Sequence, residues 1–194
     1  METSIDIKET GEELYYRFLD GDAAVFAELI ELYEDELARF IYGMIHDYHD
    51  TKHLTAETFA QLIINKKKYS GKSSLKTYLF AIAKNLTARH IKERLREQHI
   101  SFDDVVEVLI CGKEMPHNYL EEEEVKKVLH ETMQNLKEEY RVVLNLIYFE
   151  DMNYRNVGRV MNKSEKQIKK LTYDAKIALK KRLERDKSSY FSDN

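Results

Sequence analysis

Apolar residues recur every three to four positions along most of the chain, and nowhere do they alternate with the two-residue period of a strand. A short helix is predicted near residues 10–19. Asp22 is placed to cap a long helix whose apolar side is Val25, Phe26, Leu29, Ile30, Tyr33, Leu37, Phe40, Ile41 and Met44. A third helix is expected to start at Asp50 or Thr51 and reach about Asn65, with Leu54, Phe59, Leu62 and Ile63 facing the core. The loop 66–74 is rich in lysine, serine and glycine, and leads into a long helix from about Leu75 to Gln98. Its core stripe is Leu75, Tyr78, Leu79, Ile82 and Leu86, and Ser73 or Ser74 is its expected N-cap. Residues 101–119 lose the periodicity and hold the only proline, Pro116, beside Gly112 and Asn118. Helical patterning resumes at Leu120 and continues through EEEEVKKVLHETMQNL and EEYRVVLNLIYFE. The prediction is an all-α fold of two small helical domains, 1–100 and 120–194, joined by a flexible linker over 101–119.

The last part of this pattern carries the sharpest motif. The stretch NYRNVGRVMNKSEKQIKKLTYDAKIALKKRL reads as two helices joined by the turn Asn162-Lys163-Ser164. Val157, Val160 and Met161 form the apolar set of the first helix. Ser164 is an N-cap, with Gln167 in the capping-box position three residues on. The second helix turns Ile168, Leu171, Thr172, Ala175 and Leu179 inward and shows Lys166, Gln167, Lys169, Lys170, Tyr173 and Lys176 on its other face. A tight turn followed by a capped helix with a basic outer face describes a helix-turn-helix that enters a DNA major groove.

Composition excludes several classes. Of 194 residues one is proline, six are glycine and about a third are charged, as in a mostly helical water-soluble protein. No apolar run approaches the ~18 residues needed to span a bilayer, and the acidic start METSIDIKETGEE is unlike a signal peptide. A lone Cys111 leaves no internal disulfide or cysteine-based zinc site and suits a reducing, cytoplasmic setting. There is no glycine-rich phosphate loop and no nucleophile elbow, so the expectation is a protein that acts by binding, not an enzyme, with no cofactor and no small-molecule substrate.

Charge is informative only when it is divided. The net charge is −4, but residues 1–61 carry 4 basic and 15 acidic side chains, and residues 62–100 carry 10 and 2. Residues 101–151 carry 5 and 13, and residues 152–194 carry 12 and 5. Two basic blocks, each following an acidic one, point to two separate phosphate-contacting elements. In the first, Asn85, Arg89, Lys92 and Arg96 share a helix face, cations for phosphates beside an amide able to read a base edge. The preceding YSGKSSLKTY mixes aromatic, small and cationic residues suited to holding an unstacked base.

From about Asp20 to Leu183 the chain resembles an extracytoplasmic-function (ECF) sigma factor, the small two-domain initiation subunit of bacterial RNA polymerase. DTKHLTAETFAQLI is similar to that family's core-polymerase-binding helix. YSGKSSLKTYLFAIAKNLTARHIKERLRE is similar to the loop and helix that melt and read the −10 promoter element. NLKEEYRVVLNLIYFEDMNYRNVGRVMNKSEKQIKKLTYDAKIAL is similar to the domain that reads the −35 element. The resemblance implies that 1–100 is a region 2-like domain and 120–194 a region 4-like domain. It implies core polymerase contacts at Leu54, Glu57 and Phe59, and −10 contacts at Tyr69, Lys72, Ser73, Ser74, Tyr78, Asn85, Arg89, Lys92 and Arg96. It implies −35 contacts at Lys163, Ser164, Lys166, Gln167, Lys169, Lys170 and Tyr173. Core RNA polymerase, promoter DNA and an anti-sigma factor are the implied partners. His53 and Ala56 depart from the polymerase-binding pattern, and Arg89 and Asp174 stand where aspartate and arginine are common.

Two other readings compete. A stand-alone helix-turn-helix regulator would use the N-terminal half as a sensor or dimerisation domain. His46, His49, Asp50, His53 and Glu57 fall at spacings that could gather a divalent metal, but a helix break near residues 47–50 would divide them, and no metal is expected.

Overall fold

A computed structural model describes residues 9–97, 129 and 132–190, with side chains to residue 185. Every regular element among them is helical: α1 (Gly11–Leu19), α2 (Val25–Ile45), α3 (Tyr48–Ile64), α4 (Leu75–Glu97), α5 (Glu138–Tyr148), α6 (Tyr154–Met161) and α7 (Glu165–Tyr190). Cys111, the linker 101–119 and the following acidic run 121–124 lie outside the described residues.

The helix starts follow local chemistry. Thr10 and Glu13 close a capping box on α1: the Glu13 amide donates to Thr10 Oγ1 at 3.3 Å, and the Thr10 amide to Glu13 Oε2 at 2.7 Å. Two expected caps are corrected. Asp22 pairs with Arg17 at 2.7 Å, and α2 instead starts after Ala24 with no side-chain cap. Asp47, not Asp50, caps α3, accepting the Asp50 amide at 2.9 Å. The break between α2 and α3 is a left-handed His46 at φ 53°.

The predicted apolar side of α2 is the spine of the fold. Leu29, Leu37, Phe40 and Ile41 are fully buried, and Phe40 meets Phe80 of α4 at 5.1 Å between ring centres. The core of α3 was only half visible in its pattern, because Thr51, Thr55 and Thr58 are buried with Leu54, Phe59 and Leu62. Each of these threonines satisfies its hydroxyl on the carbonyl four residues earlier, at 2.6–2.8 Å, so it packs as a small branched apolar residue. Ile63, expected inside, is exposed.

Helix α4 is buried on more than one side. Leu75, Leu79 and Leu86 follow the predicted stripe, and Phe80, Ala83 and Thr87 add a second. The cause is non-local: α4 packs against α2 and α3 and also against α6, while α5 packs against α2. One continuous core therefore runs from Leu14 to Ala175. This junction is partly polar. Lys76 reaches Glu36 at 3.0 Å and Glu150 at 3.7 Å, and Asn145 stands against Gly43. Burial is the main reason that the Glu150 carboxyl titrates above the usual range, with Lys76 opposing it.

Candidate nucleic-acid and polymerase surfaces

The helix-turn-helix forms as its spacing predicts. Asn153 caps α6 by accepting the Asn156 amide at 2.9 Å. Asn162 ends it in the left-handed region at φ 54°, and the Lys163 amide closes the turn on the Gly158 carbonyl at 2.8 Å. Ser164 and Gln167 complete the expected capping box at 3.3 and 2.8 Å. Gly158 is required at the crossing, since a Cβ there would stand 2.6 Å from the Lys163 carbonyl oxygen.

Packing of Ile168, Thr172 and Ala175 inward leaves Ser164, Lys166, Gln167, Lys169, Lys170 and Tyr173 exposed on one helix, Tyr173 at 66%. Lys163 is half-buried and paired with Glu139 at 3.0 Å. Lys169 is paired with Glu165 at 2.8 Å, which raises the lysine and lowers the glutamate in pKa. Arg155 and Arg159 border the turn.

On the other half, Asn85, Arg89, Lys92 and Arg96 are all exposed along α4. Lys66, Lys67, Lys68 and Lys72 are exposed on the loop before it. Tyr78 is half-buried. Tyr69 is buried, its ring 5.4 Å from Tyr15 and 5.3 Å from Tyr78, and its hydroxyl donates to the Ser73 carbonyl at 2.6 Å. Burial, then Glu12, pushes the Tyr69 hydroxyl up to about 12, so it stays a donor. Ser74 is the cap of α4, its Oγ accepting the Thr77 amide at 3.2 Å.

The three residues expected to touch polymerase are placed differently. Leu54 and Phe59 are core residues, 2% and 5% exposed. Glu57 is half-buried and accepts from Arg89 of α4 at 2.8 Å. The outward face of α3 is made instead by Lys52, His53, Ala56, Ala60, Ile63 and Ile64, with Ile64 73% exposed. A second cross-link joins the same helices: Asp50 accepts from Arg94 at 3.3 Å and meets His90 Nε2 at 2.9 Å. These partners are 40 and 44 residues apart, which is why spacing alone did not pair them. Among the described residues no group of three or more His, Cys, Asp or Glu converges as a metal site, and no helix is long and apolar enough to cross a membrane.

Comparison with known proteins follows the two surfaces. Residues 29–97 match Sigma-70 region 2 and residues 126–179 match Sigma-70 region 4. The chain is 30% identical over 153 residues to the ECF RNA polymerase sigma factor SigM of Bacillus subtilis, covering 79% of this chain and 91% of that one. It is 21% identical over 170 residues to SigW of the same organism, covering 84% and 91%. In fold it is similar to the sigma factor RpoE in complex with the anti-sigma factor NepR from Bartonella quintana, with TM-score 0.68, 17% identity, and 82% and 96% coverage. It is also similar to CnrH in complex with the cytosolic domain of CnrY, with TM-score 0.67, 16% identity, and 92% and 99% coverage. The region 2 match replaces the reading of the N-terminal half as a sensor or dimerisation domain. The chain belongs to the ECF-type RNA polymerase sigma factors, initiation factors that direct polymerase to promoters.

Proposed function

We propose that the two exposed cationic faces divide the promoter between them. Residues 1–100 act as the region 2 domain and 120–194 as the region 4 domain, joined by 101–119. Asn85, Arg89, Lys92 and Arg96 hold −10 DNA, and the loop carrying Lys72 and Ser73 captures an unstacked base. Unstacking costs a few kcal/mol, which base capture and phosphate contacts offset. The buried Tyr69 shapes this loop from beneath, Tyr78 packs against its ring, and Ser74 acts as the cap of α4. Ser164, Lys166, Gln167, Lys169, Lys170 and Tyr173 enter the major groove at −35, with Lys163 at its edge.

For polymerase, the reading moves outward from the buried Leu54 and Phe59. Those two hold α3 in place, and Lys52, His53, Ala56, Ala60, Ile63 and Ile64 present the docking face, with Glu57 at its margin. An anti-sigma factor is the expected regulator; the similar sigma factor RpoE is in complex with the anti-sigma factor NepR. The protein is bound to polymerase in the cytoplasm, carries no cofactor and catalyses no covalent step itself.

The observation that carries this reading is the exposure of two cationic helix faces on the region 2 and region 4 matches. Run-off transcription with core polymerase on a genomic promoter library tests it. Specific transcripts that appear only when the protein is added support it. No transcript and no core binding would sink it.

A further inference from the structure

Helix α1 precedes the region 2 match, which begins at residue 29, yet it is tied to the loop 66–74 and to the first residue of α4. At the loop's start, the Tyr15 hydroxyl donates to the Lys66 carbonyl at 2.8 Å. In its middle, Gly71 takes φ +67°, and a Cβ on it would stand 2.9 Å from the Tyr16 hydroxyl. At its end, Glu12 Oε1 accepts the Leu75 amide at 2.6 Å, capping the first turn of α4 from 63 residues away. The buried Tyr15 ring also backs Tyr69, whose hydroxyl holds the Ser73 carbonyl.

These contacts divide the loop by chemistry. Its backbone is tied inward through carbonyls and one amide, while Lys66, Lys67, Lys68, Ser70 and Lys72 are left exposed. Glu12 matters most. Leu75 is fully buried, so without that carboxylate its amide loses its acceptor at a part-buried position. The same carboxylate meets the positive end of the 23-residue α4. A loop that must hold a base in a fixed pose needs a backbone fixed in advance, because ordering it on binding would consume the affinity gained.

The geometry points to α1 as a brace that sets the shape of the base-capturing loop, with Glu12 and Tyr15 as positioning residues for −10 specificity. This rests on the loop reading proposed above. Neither residue touches DNA; both act through the loop backbone.

The test uses the full chain assembled with core polymerase and a promoter library randomised through the −10 element, scored by transcription. Wild type is compared with Glu12→Ala, Glu12→Gln, Tyr15→Phe and, inside the loop, Lys72→Ala with Ser73→Ala. Core affinity and thermal midpoint are measured on each. Glu12→Ala should flatten the preference at the captured position about tenfold, with core affinity held within twofold. Glu12→Gln, which keeps an acceptor, should recover most of it, and Tyr15→Phe, which keeps the ring, should give a smaller loss in the same position. A loss spread evenly over all positions, or one that tracks only the thermal midpoint, overturns the brace. If the loop variants themselves leave preference unchanged, it is the loop reading that fails, and the brace falls with it.

Discussion

Arg89 of α4 donates to Glu57 of α3 at 2.8 Å, joining a side chain on the helix proposed to hold −10 DNA to one beside the surface proposed to dock on polymerase. The pair is partly exposed, so it adds only about 0.2–1 kcal/mol to stability. Its larger effect is on charge available to DNA. Glu57→Gln in preassembled holoenzyme should steepen the dependence of promoter affinity on salt by about one phosphate contact, because Arg89 is released. Arg89→Ala should make it shallower by a similar amount. Affinity measured across a salt series decides this, and an unchanged slope in Glu57→Gln would mean that Arg89 does not reach DNA.

Lys169 has the same kind of internal competitor. Its ammonium is 2.8 Å from Glu165 in the exposed first turn of α7. Lys169→Ala should weaken −35 binding evenly across promoter sequences and lower the salt slope by about one. Glu165→Gln should act in the opposite direction and strengthen binding. Both are read by competition between duplexes with and without a −35 element, and a sequence-selective loss in Lys169→Ala would contradict a phosphate role.

Glu150 gives a pH prediction whose sign is fixed by its burial. Its side chain is 2% exposed and its pKa lies above the usual carboxylate value, with burial the largest cause. A carboxyl raised in the folded state contributes stability below its ordinary pKa and loses it as pH rises through the folded value. Glu150→Gln should therefore match wild type near pH 4 and become the more stable of the two as pH approaches 8. The gain is limited by the lost attraction to Lys76, and about 1 kcal/mol corresponds to roughly 2–4 °C in a chain of this size. Thermal midpoints that differ by a constant amount at every pH would refute the assignment.

Gly158→Ala tests the crossing of α6 and the turn. Alanine improves helix propensity by about 1 kcal/mol, but the new Cβ would sit 2.6 Å from a backbone carbonyl that has no rotamer to escape into. A net destabilisation of about 1–3 kcal/mol is expected, in line with overpacking elsewhere. Loss of −35 binding should accompany it. An unfolding midpoint equal to wild type would show that the turn yields more readily than its geometry implies.

Much of this molecule was legible in the sequence, and the failures share a cause. The apolar face of α2, the Asn162 turn and the Ser164–Gln167 box all depend on residues within four positions of one another, where helical period and capping chemistry decide the outcome. The second buried side of α4 depends on neighbours distant in sequence, Phe80 meeting Phe40 of α2, which no local pattern announces. The same holds for Leu54 and Phe59. Family likeness named them as contacts, but both are buried: Phe26 meets Phe59 edge to face at 6.3 Å between ring centres, and the buried threonines widen the inward face of α3. Glu12 was invisible for a related reason, since its partner amide lies 63 residues on.

The packed arrangement of the two halves leads to the last prediction. Elements named −10 and −35 lie about 25 base pairs apart, roughly 85 Å along B-form DNA at 3.4 Å per pair. A compact body of about 150 residues has a radius of gyration near 15 Å and spans about 40 Å. With α4 against α6 and α2 against α5, the two cationic faces cannot reach both elements together. On the proposed division of the promoter, the halves separate when they bind it. Fluorophores at the exposed Glu34 and Lys180 should show lower energy transfer in promoter-bound holoenzyme than in the free chain. Lys76 is the cation at the junction, shared by Glu36 and Glu150. Removing it by Lys76→Ala leaves the buried Glu150 without its ion-pair partner, which disfavours the closed arrangement. Free Lys76→Ala should therefore show lower transfer and a larger radius of gyration by X-ray scattering than free wild type. Equal transfer in the free and promoter-bound states would mean that the halves move as one body, and the division of the promoter between them would have to be abandoned.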